Sequence, residues 1–598
     1  MNQKTKYFAS DIRWGALESH RPPQFDGYST RSIYVPMPDG VRLALDIHLP
    51  LDLPRSTPLP ALLYRTRYWR RTQMQDGSSK PNPFISFFTS QGYAVVQADV
   101  RGTGASFGHM RFEWQPEDTR DAAILVDWIC KQEWSNGRVG AYGVSYPGTT
   151  AELLAETCHP ALRAVWASYF ELDGYTDLAF PGGVPCTFVK MWGEYTSALD
   201  QNISLDDNFE PDPAVVGVQP VDGDEDHQLL HLAIEEHAEN CNAHVFLRDV
   251  VYRDDLLGGA GVPNEEMAVY SRREKIESSG VAIDIWGSWL DANTADTVLR
   301  HFATFRNPQR AVISAWSHGG AFLCSPFVSP GSDPELSRSE QMNEILRFLD
   351  QHFLGQDTQI PQKTLFYYTM GEEKWKATSV WPPEGSTTRR FFFQPDHLLG
   401  DKLPSLSGQE TYPVDYDAQT GQQNRWWTEL GGGPVIYPDR EEQDQKLLVY
   451  ESSPLEADLE ITGYPVVDLF IASSREDGAF FVYLEAVDDL GNVTYLTEGM
   501  LRALHRKVSG ETPPYQVFGP YHSYKRADGK LLTPGEVAEL SFSLFPTSVR
   551  VSKGHKIRVS IAGADASSFD RVPEQGETEF RLLRGGEYPS CIDLPIIK

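Results

Sequence analysis

Ten residues, VGAYGVSYPG at 139–148, followed by TTAELLA, constrain this chain more than any others. An apolar run, a serine between glycines and a helix-forming stretch are the pattern of a strand that turns sharply into a helix, with Ser145 at the apex. A turn that tight leaves little room for side chains, which accounts for Gly143 before the serine and Gly148 after it. The usual spacing is G-x-S-x-G. Here the second glycine falls three residues after the serine, with Pro147 between them. Proline fits a first helical turn, where its missing N–H would have had no partner. A serine lifted above a sheet beside helix-start N–H groups suggests nucleophilic hydrolysis. The same pattern also describes an ordinary strand-to-helix turn, so the reading requires a base and an acid downstream.

A serine hydroxyl is a poor nucleophile until a histidine takes its proton and a carboxylate orients that histidine. After an elbow of this kind the chain order is serine, acid, histidine. The segment AVISAWSHGG at 311–320 is a strand running into a small-residue loop that carries His318, and IDIWGSWLD at 283–291 ends on Asp291. Asp284, inside the strand, and Asp296, on the helix that follows, are worse placed. Singly, Asp291 could be a helix cap and His318 a loop histidine bonded to a carbonyl. Jointly, in this order and each after a strand, they point to catalysis.

The rest of the sequence is consistent with this. A chain of 598 residues exceeds one compact core and implies two to four domains. A formal charge of −30 argues against nucleic-acid partners and anionic membranes. No apolar stretch is long enough to cross a bilayer. The six cysteines are scattered without a C-x-x-C pair, and the first ten residues lack the apolar core of a signal peptide, so a cytoplasmic protein is expected.

Strands at 33–35 and 41–49 flank the turn Pro38-Asp39-Gly40. Short apolar runs at 60–64, 93–98, 138–142 and 162–168 alternate with a helical pattern at 117–131, as in a doubly wound parallel sheet. That rhythm lapses between 170 and 279, then resumes at 282–286 and 311–316 around a helix at 295–305. A helix at 340–353 is expected to close this body. Beyond 360, β-rich runs separated by Gly, Pro, Asp and Asn imply a jelly-roll β-sandwich. The expected division is an α/β body at 1–169 and 280–359, a helical cap at 170–279 and a β-sandwich at 360–598.

At this point the chain resembles the cocaine-esterase-like hydrolases, relatives of X-prolyl dipeptidyl peptidases and α-amino acid ester hydrolases. GVSYPG at 143–148 looks like their G-x-S-Y-x-G elbow, GSWLD at 287–291 like their aspartate motif, and WSHG at 316–319 like their histidine motif. DVRGTGASFG at 99–108 is similar to their Asp-x-Arg-Gly signature, and Asp127-Trp128 and WSNG at 134–137 fit as well. The resemblance implies an α/β-hydrolase with an inserted cap and a C-terminal jelly roll. It also implies an oxyanion hole made by the N–H of Tyr146 and the hydroxyl of Tyr68, with Tyr64 as a rival. Phe188, Trp192 and Tyr195 are candidates to line a pocket between cap and body, although aromatic residues in a cap also build its core.

His227, His231 and Glu235 share helical spacing, which can suit zinc. H-E-x-x-H is not satisfied, however, and the acidic surroundings indicate a solvated face. No metal and no cofactor are expected. The resulting expectation is a serine carboxylesterase acting on a small ester, with Ser145, His318 and Asp291 as its triad. An acylase or peptidase using the same residues on amides is the rival. A binding protein that kept the fold would normally have lost a triad member. A homo-oligomer stands open, dimers being common by default.

Overall fold

The structure is a computed structural model that describes residues 14–15, 21–54, 57–206, 208–356 and 363–598. The first ten residues and the 359/360 division therefore lie outside the described residues.

The first body is built on a ten-stranded sheet: β1 (Tyr28–Pro36), β2 (Arg42–Pro50), β3 (Leu59–Thr66), β4 (Ala94–Asp99), β5 (Ser135–Val144), β6 (Leu162–Ser168), β7 (Ala282–Ser288), β8 (Gln309–Ser314), β9 (Thr364–Thr369) and β10 (Lys374–Thr378). Their spatial order is β1-β2-β4-β3-β5-β6-β7-β8-β9-β10. β1, β2 and β10 run antiparallel to their neighbours, and the strands from β4 to β9 are parallel. The central strands are buried along nearly their whole length, which is why they read as continuous apolar runs. Helices α1 (Pro83–Ser90), α2 (Pro116–Cys130) and α3 (Tyr146–Leu154) connect the early strands. α1 and α2 begin on prolines, whose fixed φ suits a first turn.

After β6 the chain leaves the sheet and forms α4 (Phe188–Asp200), α5 (Gln228–His237), α6 (Ala243–Leu247) and α7 (Arg273–Ser279) before returning as β7. This excursion also carries a short strand, Val215–Val218, which pairs with Thr72–Met74 from the body. Two further helices, α8 (Thr294–Thr304) and α9 (Arg338–Leu354), belong to the body, and α9 starts on a Ser337–Glu340 capping box.

The expectation that α9 closes this body needs correction. β9 and β10 extend the same sheet past it, β9 pairing in parallel with β8 from Arg310↔Thr364 to Ile313↔Tyr367. The TLFYYT segment is buried throughout and shows no alternation, so its pattern cannot reveal which sheet it joins. From Ser386–Gln394 to Cys591–Ile597 the described residues form a thirteen-stranded, mainly antiparallel array that folds over as the jelly-roll sandwich.

Candidate active site

Ser145 stands where β5 ends and α3 begins, with φ 64° and ψ −135°. Its N–H donates to Ser168 O (2.8 Å), and its carbonyl accepts from the N–H of Gly148 (2.7 Å) and of Thr149 (3.1 Å). A Cβ on Gly143 would lie 2.1 Å from the Pro147 carbonyl carbon, and one on Gly148 would lie 2.8 Å from Ser168 O. Both glycines are therefore required by close backbone approach. The strained φ of Ser145, rare for a residue with a Cβ, persists because these bonds over-determine the turn.

Asp291, just after β7, is fully buried. His318, in the loop after β8, donates through Nδ1 to both Asp291 oxygens, each at 3.1 Å. Thr294 Oγ1 also donates to Asp291 Oδ2 (3.3 Å). With its proton on Nδ1, the imidazole keeps Nε2 free to accept one. Burial alone would lower the His318 pKa, but the charges of Asp291 and Glu171 outweigh it and hold it above 6.5, the ordinary value. As the base of the reaction proposed below, His318 must be neutral, so kcat/KM should rise with pH along an acid limb lying above 6.5, read from a pH profile on an activated ester. Ser145 Oγ is not hydrogen-bonded to His318 here. The two loops meet through Val144, whose Cγ1 lies 3.8 Å from the position of a Cβ on Gly319. The rival acids are engaged elsewhere: Asp284 accepts from Arg310 Nε (2.9 Å), and Asp296 from the Tyr464 hydroxyl (2.7 Å).

A cavity opens over Ser145, with Tyr68, Tyr146, Phe188 and Trp192 also in its wall. Tyr68 sits in the 66–70 loop after β3. Asp99, of the Asp-x-Arg-Gly signature, holds this loop by accepting from Arg70 Nη1 (2.9 Å) and from Ala105 N (2.9 Å). Trp192 Nε1 donates to the Tyr68 hydroxyl oxygen at 2.7 Å, which leaves the Tyr68 O–H free to donate elsewhere. Burial pushes the Tyr68 pKa far up, so that proton is retained. Tyr146 is the first residue of α3, and its N–H has no intrahelical acceptor. Its ring stacks on Trp114 with centroids 5.1 Å apart. Tyr68→Phe should therefore lower kcat about 10²–10³-fold with little change in KM, read from steady-state ester hydrolysis.

Tyr64 packs on Tyr142 at 5.2 Å and is absent from the cavity wall. Tyr195 lies 6.4 Å from Tyr68 and belongs to a packed cluster with Trp69 and Leu199. His227 precedes α5 in the left-handed conformation, its ring 6.4 Å from that of His231. The described residues hold no group of three or more His, Cys, Asp or Glu placed for a metal ion.

Three carboxyls in the wall carried no sequence signal: Glu113, Glu171 and Glu429. Glu113 pairs with Arg67, yet burial, with Asp200 nearby, raises it to about 7. Glu171 accepts from Thr149 Oγ1 (3.0 Å), and burial likewise raises it to about 7. Glu429 comes from the β-sandwich, and its Oε2 is buried without a hydrogen-bond partner. Burial and the neighbouring Asp291 and Glu171 push its pKa well up.

Residues 39–320 match the X-Pro dipeptidyl-peptidase (S15) family, and residues 360–593 match the X-Pro dipeptidyl-peptidase C-terminal non-catalytic domain. The chain is 39% identical to a Mycobacterium bovis protein named “Putative serine esterase”, across 99% of this chain and 100% of that one. It is 26% identical to the cocaine esterase of Rhodococcus sp., across 96% and 99% of the two chains. A solved CocE/NonD family hydrolase from Staphylococcus aureus shares the fold with a TM-score of 0.70 at 16% identity, covering 100% of this chain and 99% of that one. Among the described residues no helix is long and apolar enough to cross a membrane.

Proposed function

The chain belongs to the X-Pro dipeptidyl-peptidase (S15) family of hydrolases, in its cocaine-esterase-like branch, and we propose that it is a serine carboxylesterase acting through an acyl-enzyme on Ser145. The observation that carries this reading is the two-oxygen grip of Asp291 on His318 Nδ1, in the loop beside an elbow serine that lines a cavity. Ser145 Oγ attacks the acyl carbon while its proton passes to His318 Nε2. The carbonyl oxygen becomes an oxyanion facing the Tyr146 N–H and the Tyr68 O–H. As the tetrahedral intermediate collapses, the C–O bond to the alcohol breaks and His318 returns the proton to the departing oxygen. Water then repeats the sequence on the acyl-enzyme, with His318 again as base, and releases the acid.

Phe188, Val189, Phe246 and Met267 give the cavity an apolar wall suited to an acyl or aromatic alcohol group. The test is a panel of short-chain and aromatic p-nitrophenyl esters set beside aminoacyl and X-Pro p-nitroanilides. Esters turning over with the higher kcat/KM supports the reading, and amides dominating overturns it.

One observation favours the second reading, an acylase or peptidase on α-amino substrates. Glu171 and Glu429, once ionised, offer a substrate ammonium two carboxylates in the cavity wall. The aminoacyl arm of the same panel measures that preference.

A further inference from the structure

The segment 424–432 of the β-sandwich bonds to the residue after Asp291 and closely approaches the backbone of His318. Arg425 grips Ala292, the residue after Asp291, from two sides: its carbonyl accepts from the Ala292 N–H (2.9 Å), and its Nε donates to the Ala292 carbonyl (2.6 Å). Ala292 has φ 34°, so this backbone is held away from its preferred basin. Seven residues on, Gly432 has φ 69°, and a Cβ there would lie 2.8 Å from the His318 carbonyl oxygen. Between them Glu429 reaches the cavity wall.

The segment is itself anchored within the sandwich. Asn424 donates to the Ser568 hydroxyl (2.6 Å) and accepts from the N–H groups of Trp426 and Trp427 (3.0 Å each). Trp426 Nε1 donates to Glu498 (2.7 Å), and the Arg425 N–H donates to the Tyr437 hydroxyl (3.2 Å). Arg425 is fully buried, its guanidinium 4.8 Å from the Phe545 ring centroid.

We propose that the C-terminal β-sandwich is part of the catalytic apparatus, its 424–432 segment holding Asp291 and His318 in register with Arg425 and Gly432 as positioning residues. Neither residue touches substrate. Arg425 holds the backbone next to Asp291 and Gly432 packs against that of His318, and displacing a triad side chain by about 1 Å can cost 10²-fold in rate. The proposal rests on the triad reading above.

The test is Gly432→Ala in the full chain, beside Gly535→Ala. Gly535 is a glycine of the same sandwich with φ 82° and nothing within 4 Å of a Cβ, so it shares the backbone strain without the contact. The expected result for Gly432→Ala is a kcat lowered about 10–100-fold, KM within about twofold, and an acid limb of kcat/KM moved to lower pH as the Asp291–His318 contact loosens. Gly535→Ala should shift the melting temperature alone. Arg425→Lys, which keeps the charge and loses the Nε donor, should show the same kcat-over-KM split should Gly432→Ala fail to fold. Wild-type kcat and pH limb in folded variants would overturn the proposal, as would equal loss in Gly535→Ala. Ser145→Ala assayed alongside separates the two readings: if it retains the rate, the triad fails and the segment's role with it. If it is inactive while Gly432→Ala and Arg425→Lys match wild type, the segment alone is overturned.

Discussion

Ser145→Ala should lower kcat on p-nitrophenyl esters by about 10⁶-fold while leaving KM near its wild-type value. In the proposed reaction the hydroxyl is the atom that bonds to the acyl carbon, and no neighbouring side chain in the cavity wall is a nucleophile of comparable strength. The residual rate, about 10³-fold over water, would come from the oxyanion donors and from binding. Labelling by a fluorophosphonate should vanish with the rate. Ser145→Gly should be equally inactive yet more stable. The wild-type serine sits at φ 64° and ψ −135°, a conformation that costs a residue with a Cβ on the order of 1–3 kcal/mol and costs glycine little. A thermal melt of the two variants reads that difference. An active Ser145→Ala would remove the basis for an acyl-enzyme at this position.

Asp291→Asn should lower kcat by about 10⁴-fold with the fold intact. The carboxylate is fully buried and accepts from His318 Nδ1 with both oxygens, which fixes the tautomer in which Nε2 can take the Ser145 proton. An amide of the same shape can offer an N–H to Nδ1 instead, moving the proton to Nε2 and blocking the base. The substitution also removes the largest charge that raises the His318 pKa, so the acid limb of the residual activity should move to lower pH. Circular dichroism and steady-state pH profiles check both parts. A limb that stays in place would mean that Asp291 does not set the ionisation of the base.

The junctions that carry Ser145, Asp291 and His318 are legible because each is local: a strand ends, a loop or helix begins, and the residue stands within a few positions of that point. Asp291 and His318 are brought together in this way from β7 and β8, which are sheet neighbours. Phe188 and Trp192, read as pocket candidates, both stand on α4 and both line the cavity. The Trp192 bond to Tyr68 could not be read in advance, because it joins residues 124 positions apart. Glu171 stands three residues past the end of β6, yet nothing in its neighbourhood marks it as a wall residue. Arg425, Glu429 and Gly432 reach the site only through docking of the sandwich on the body. The division at 359/360 leaves β9 on the sandwich side for a related reason: a strand buried on both faces carries no alternation to show which sheet it joins.

The Trp192–Tyr68 hydrogen bond spans two parts of the chain that the sheet does not join, a helix of the excursion after β6 and the loop after β3. Any movement of α4 away from the elbow withdraws the indole donor that orients the Tyr68 hydroxyl. Thermodynamic linkage makes that dependence mutual: in the proposed reaction, charge developing opposite Tyr68 must favour the position of α4 that keeps this bond by the same free energy with which that position favours the charge. In the proposed reaction α4, which lines the cavity through Phe188 and Trp192, is thereby coupled to the charge that forms opposite Tyr68.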